Sequence, residues 1–218
     1  MAEQSLAARR DLVALTILAL LSEQPRHPYE MQRLIRERRK DFALGSARGL
    51  YHRVASLARR GFIEVAGQGR EGHRPERTTF RITDAGRDEF RFRLLDLLAT
   101  PAAGEKLFAA AVSFLGYVDT GEAATALESR RVELEAAIAG HETALASLQG
   151  RLRLPRIVLV ELEYAVAMRR AECAWVASIV TDLRAGRLPG LDETMFAAHN
   201  DLSRMELRAS PNDRPQHA

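Results

Sequence analysis

The stretch GSARGLYHRVASLARRGFIE, residues 45–64, constrains the fold more tightly than any other part of the chain. Its large apolar residues Leu50, Val54 and Leu57 recur at i, i+4 and i+7, so they line one face of a helix and leave the rest polar. Ser46 is placed to cap that helix after Gly45 lets the chain turn, and Gly61 stands where a C′ glycine ends it. Outside the stripe lie Arg48, Gly49, Tyr51, His52, Arg53, Ser56 and Arg59. A face of cations, hydroxyls and an aromatic ring suits an anionic polymer better than a protein core. A plain solvated face is the alternative, and the flanking sequence decides between them.

Upstream, residues 9–23 read as a helix with a wide apolar face of Leu12, Leu15, Ile17, Leu18 and Leu21. EQPRHP, residues 23–28, breaks it with two prolines. YEMQRLIRERRK restarts a helix with Tyr29, Met31, Leu34 and Ile35 as its apolar side and five cations expected outward. Downstream of Gly61 the pattern changes to short runs, FIEVAGQ and RTTFRIT, separated by GREGHRPE. That is a β-hairpin with a long basic tip carrying Arg70, His73, Arg74 and Arg77. TDAG, residues 83–86, caps a further helix through Thr83 and Asp84.

Helix, helix, helix, basic hairpin, helix is the order of a winged helix-turn-helix, in which the third helix enters the major groove and the wing lies along the backbone. Charge follows the same division. Residues 1–98 hold 19 Lys and Arg against 13 Asp and Glu, residues 26–81 hold 14 against 6, and residues 99–218 hold 13 against 16. A basic module on a mildly acidic partner segment points to a polyanion, here double-stranded DNA. The expected contact residues are Ser46, Arg48, Gly49, Tyr51, His52, Arg53 and Ser56 on the third helix, with Arg70, His73, Arg74 and Arg77 on the wing.

The C-terminal half reads as helical throughout. ATPAAGEK, residues 99–106, is a break by composition, and LFAAAVSFLGY follows as an apolar helix. From Leu127 a seam runs Leu127, Arg131, Leu134, Ile138, His141, Leu145, Leu148, Leu152 in alternating steps of four and three, the spacing of a coiled coil. Pro155 favours a helix start, and residues 156–185 form one long helix ending at Gly186. It is rich in alanine, with Val160, Tyr164, Met168 and Trp175 as larger anchors. A two-helix arm with no third layer leaves apolar surface in water, and a second copy supplies that layer. Leu134, Ile138, Leu145, Val160, Tyr164 and Ala171 are the expected dimer contacts. Tyr164, Met168 and Trp175 are also candidates to line an effector pocket, plain interface core being the alternative. The tail from Arg204 is expected to be disordered.

Composition narrows the function classes. Charged residues make up 28% and hydrophobic ones 46%, the balance of an ordinary globular protein rather than a disordered one. One cysteine allows no internal disulfide framework, and no Cys/His group has zinc-ligand spacing. No metal and no cofactor is expected. The run LVALTILALL is too short to span a bilayer and no signal-peptide pattern opens the chain, so the expectation is a cytoplasmic protein without a membrane partner.

ILALLSEQPRHPYEMQRLIRER, GLYHRVASLARRGFIE and FRITDAGRDEF together resemble the PadR family of transcriptional regulators. The likeness runs from about residue 10 to 95. It covers an apolar first helix, a His-x-Tyr-Glu entry to the second, Gly-Leu-Tyr in the third and Thr-Asp-Ala-Gly after the wing. Pro28 stands where the family usually has Gly, and His52 where it often has Pro. Residues 107–185 are similar to the extended helical domain through which such proteins dimerise. The resemblance implies a mainly α fold: a winged helix-turn-helix at residues 8–98, a helical dimerisation domain at 105–190, and a tail at 204–218. The function expected is a homodimeric DNA-binding regulator, a repressor on an inverted-repeat operator, released by a small aromatic effector. Two alternatives stand beside it: a winged helix used only for protein docking, and an enzyme built on Cys173.

Overall fold

The computed structural model describes residues 11–38, 40, 43, 47–69, 77–192 and 194–196. Helix α1 (Leu12–Glu23) is the centre of the first core, which is why it is apolar on nearly every side. Leu15, Ile17, Leu18 and Ala19 are fully buried. Its one buried hydroxyl, Thr16, is satisfied by donating to the Leu12 carbonyl at 2.7 Å. Asp11 caps the helix by accepting from the Ala14 amide at 3.1 Å.

Helix α2 (Pro28–Glu37) opens on a capping box, with the His27 side chain accepting from the Tyr29 amide and Glu30 accepting from the His27 amide, each at 3.1 Å. Pro28 takes the first helical position, where a missing N–H costs nothing. Met31, Leu34 and Ile35 face the core. The third helix, α3 (Ala47–Arg59), buries Leu50, Val54 and Leu57 and packs on α1 and α2. Gly61 closes it at φ 76°, with the Gly61 amide on the Ala58 carbonyl and the Phe62 amide on the Leu57 carbonyl.

The wing is an antiparallel pair, β1 (Ile63–Gly69) and β2 (Arg77–Ile82), with Ile63 opposite Ile82, both buried, and a register shift between Val65 and Gly67. Arg26, in the turn after α1, joins this sheet as a bridge: its amide donates to the Phe80 carbonyl at 3.0 Å and its carbonyl accepts from the Phe80 amide at 2.9 Å. Helix α4 (Asp84–Ala99) begins under the wing, capped by Thr83, whose hydroxyl accepts from the Gly86 amide and donates to the Gly61 carbonyl. Gly86 has no alternative here, since a β-carbon would stand 2.0 Å from the Phe62 carbonyl oxygen.

Glu23 at the end of α1 is the polar centre of this frame. Its carboxylate is 1% exposed and receives Arg26 at 2.6 Å and both terminal nitrogens of Arg38, one of them at 2.9 Å. Arg38 is therefore buried, which corrects the expectation of five outward cations on the second helix; Arg39 lies outside the described residues. Burial, aided by the Arg38 charge, lowers the Lys40 ammonium to about 8.

The chain divides into two compact units, with the boundary at Leu94/Leu95 and the second unit running Leu95–Gly190. The second unit contains α5 (Glu105–Val112), α6 (Thr120–Gly150) and α7 (Val160–Arg184), the last two paired as a long hairpin. The apolar segment after residue 106 is not one helix: α5 stops at Val112, and Leu115–Tyr117 forms a 3₁₀ turn under the buried Phe114. Along α6 the buried positions are Ala123, Ala124, Ala126, Leu127, Arg130 and Leu134. The expected seam is thus corrected by one residue, with Arg130 inside and Arg131 outside on Glu128 and Glu135. Among the described residues no helix is long and apolar enough to cross a membrane.

Two outcomes are expected. Glu23→Gln strands two buried guanidinium groups and lowers stability by about 3–5 kcal/mol, read from denaturant midpoints. Lys40 has a folded pKa below its ordinary value, so the unfolded chain holds the extra proton between about pH 8 and 10.5. Stability of the wild type, compared with Lys40→Met, should rise across that window; a constant difference between the two proteins would contradict it.

Candidate nucleic-acid interface

Burying Leu50, Val54 and Leu57 leaves the opposite side of α3 free. Arg48, Gly49, Tyr51, His52 and Arg53 are all exposed there, and Ser56 is half-buried at the edge. The structure therefore brings six of the expected contact residues onto one convex surface. Ser46, Arg70, His73 and Arg74 lie outside the described residues, and Arg77 is described only as the first position of β2, opposite Gly69.

The Arg53 guanidinium is not idle. Its Nε lies 3.0 Å from the second carboxylate oxygen of Asp11, the residue that caps α1 with its first. At 47% exposure the arginine side chain is well hydrated, and an ion pair of this kind contributes at most about 1 kcal/mol. Asp11 thus orients Arg53 without removing it from solvent. Sequence reasoning missed this partner, although an aspartate immediately before the apolar run of α1 is itself a capping signal. On the wing, Arg81 pairs with Glu64 at 2.7 Å, and below it Arg60 stacks 4.6 Å over the Phe62 ring.

The helical unit carries a second feature, a groove of about 920 Å³. Tyr164, Met168 and Trp175, separated by up to eleven positions in sequence, all line it, together with Phe108 and Leu134. Phe108 meets Trp175 edge-on with ring centres 6.0 Å apart. The buried Arg130 guanidinium stacks 3.7 Å over the Phe108 ring and donates to Glu172 at 2.6 Å. The walls also hold Glu105, Glu133 and Glu161, with Arg169 as the one cation among the lining residues. None of these charged residues was singled out from the sequence, because their convergence depends on three separate helices.

Of the six expected dimer contacts, Leu134 is buried in its own unit, Ile138 and Leu145 are half-buried, and Val160, Tyr164 and Ala171 are exposed. Exposure reaches 66% at Tyr164. Cys173 is half-buried, and desolvation together with the Glu135 charge pushes its thiol pKa up, the opposite of what a nucleophile needs. Among the described residues no group of three or more His, Cys, Asp or Glu side chains is arranged to hold a metal ion.

Residues 17–92 match the model of the transcriptional regulator PadR-like family. Solved structures similar to this chain include Bacillus subtilis PadR in complex with operator DNA, at 19% identity, covering 78% of this chain and 98% of that one with a TM-score of 0.38. The same protein in complex with p-coumaric acid is 17% identical, over 79% and 99% of the two chains, with a TM-score of 0.35. The PadR-like transcriptional regulator BC1756 from Bacillus cereus is 21% identical, over 80% and 99%, with a TM-score of 0.33. No curated protein matches the chain.

Proposed function

With a PadR-like transcriptional-regulator module at residues 17–92 as the premise, we propose that the chain is a homodimeric repressor that binds an inverted-repeat operator through α3 and the wing. The observation that carries this reading is the two-sidedness of α3. Its apolar stripe is spent on α1 and α2, and its free side presents Arg48, Tyr51, His52 and Arg53 from a helix of the length a major groove accepts. Ser46, Gly49 and Ser56 supply small polar contacts around them. Arg70, His73, Arg74 and Arg77 reach the adjacent phosphates, and the excess of eight positive charges over residues 26–81 supplies the sequence-independent attraction. Such a protein works where the chromosome is, in the cytoplasm.

In this reading residues 8–98 bind DNA and residues 105–190 join two copies through Leu134, Ile138, Leu145, Val160, Tyr164 and Ala171. The exposed apolar row along α7 supports it, since Val160, Tyr164, Met168 and Trp175 together form a stripe that a second copy covers. The groove around Tyr164, Met168 and Trp175 supports a further element, a small aromatic effector that releases the operator. Trp175 is the single tryptophan of the chain, so its fluorescence reports occupancy directly.

Three variants and one fragment test the proposal. Arg53→Ala should cost about 1–3 kcal/mol at the preferred sequence and relax the preference. Asp11→Asn, which keeps the helix cap but releases the arginine, should bind as tightly or more tightly. Arg74→Ala should weaken all sequences alike and reduce the salt slope by about one unit. An Arg53→Ala protein with unchanged affinity and preference refutes the placement of α3 in the groove. Separately, a fragment ending at Ala103 should be monomeric and bind near the non-specific range of about 10⁻⁴–10⁻⁶ M, because the second contact gains roughly 10²–10⁴ only when two copies are joined. A fragment that stays dimeric at full operator affinity moves the dimer contact out of the helical unit.

A further inference from the structure

The hairpin of α6 and α7 ends in a tip that the protein's own fold leaves uncovered. Leu152 is 63% exposed, Ile157 76% and Val158 60%. Between and beside them stand Arg151 and Arg153, both exposed and neither paired with an acid among the described residues. The tip has a defined shape. Arg153 is in the left-handed region at φ 48°, Pro155 follows, and the Leu154 amide closes the turn on the Leu148 carbonyl at 3.2 Å. An apolar, cationic projection with a fixed backbone loses little entropy on docking.

The groove of the same unit is its complement. It offers apolar surface from Tyr164 and Met168, and its rim carries the exposed Glu105, Glu133 and Glu161, of which Glu133 lies in the field of the buried Arg130. Glu172 is neutralised by Arg130, and Arg169 turns its guanidinium to the Ala165 carbonyl of its own helix. The rim is therefore net acidic while the tip is net basic, and both are apolar beneath. We infer that the tip of one copy, residues 151–158, docks in the groove of a second copy, and that the exchange is reciprocal. This inference rests on the homodimer reading above and names how the two helical units engage.

Reciprocity places the two-fold axis between tip and groove, where Val160 and Tyr164 stand exposed, so the same axis covers the apolar row of α7. Charge then fixes the register, because a parallel pairing would set tip against tip and groove against groove, like charge on like. A small aromatic guest in the groove would compete with the partner's tip, which ties effector binding to dimer strength.

The test uses two full-length proteins. One carries Arg151→Glu and Arg153→Glu, the other Glu105→Arg and Glu161→Arg; far-UV circular dichroism and melting curves establish that both fold. Sedimentation equilibrium should show that each dimerises at least about tenfold more weakly than the wild type, since each sets like charges against each other twice. An equimolar mixture restores opposite charges at both contacts and should form a heterodimer of wild-type strength. If either variant alone keeps wild-type dimer strength, or if both weaken and the mixture does not recover, the docking is refuted while the homodimer stands. If the wild type itself sediments as a monomer, the homodimer reading falls and this inference with it.

Discussion

The first unit depends on one buried carboxylate. Glu23 ends α1, yet its partners belong to other parts of the frame: Arg38 closes α2, and Arg26 belongs to the turn whose backbone pairs with Phe80 in the wing. Through them the carboxylate fixes α1 against α2 and the α1–α2 turn against β2. Lys40 at the edge of the cluster loses affinity for its proton, first through its own burial and then through the neighbouring Arg38 charge. Burying such a cluster is costly, and replacing all three charged side chains together by apolar ones of similar volume is often no less stable, whereas removing Glu23 alone is not tolerated in that way. What the cluster supplies is discrimination, because a rotated α2 would leave the Arg38 guanidinium without its acceptor in a dry site.

Much of this architecture is legible in the sequence, and the reasons are local. The stripe Leu50, Val54, Leu57 predicts the buried side of α3 because helical period alone decides it. Gly61 and the Thr83–Gly86 cap predict the ends of the wing segment because each needs a particular backbone geometry. Arg38 is different. In the sequence it is one of a run of cations, and nothing nearby marks it; only Glu23, fifteen residues earlier, makes it a core residue. Arg130 fails for the same reason. Heptad spacing favours Arg131, but the contacts that bury Arg130 come from Phe108 and Glu172, on other helices. Periodicity ranks faces of a helix; it does not find the acid that lets an arginine inside.

The candidate interface divides along a similar line. The residues on α3 follow from the complement of an apolar stripe, so they could be named without coordinates. Asp11 could not, because its link to Arg53 requires the start of α1 to lie beside the middle of α3. The link has a physical consequence: any anion that approaches Arg53 must compete with the Asp11 carboxylate, whichever anion it is. The groove in the helical unit was half legible: its aromatic wall falls at helical spacing along α7, whereas its acidic rim is assembled from α5, α6 and α7.

Arg130 beside the groove also reaches the C-terminal end of α4, within the same unit. Helix α4 starts on Thr83, which is bonded to the Gly61 carbonyl, and runs without interruption to Ala99. In its last turn the Leu97 carbonyl, one of those a helix leaves without an internal partner, is met by Arg130 at 3.5 Å. The same guanidinium is held by Glu172 in the groove wall and by the face of Phe108, whose edge meets Trp175. A buried arginine has few ways to satisfy its donors, so Glu172 cannot turn toward a guest in the groove without leaving Arg130 to find another acceptor.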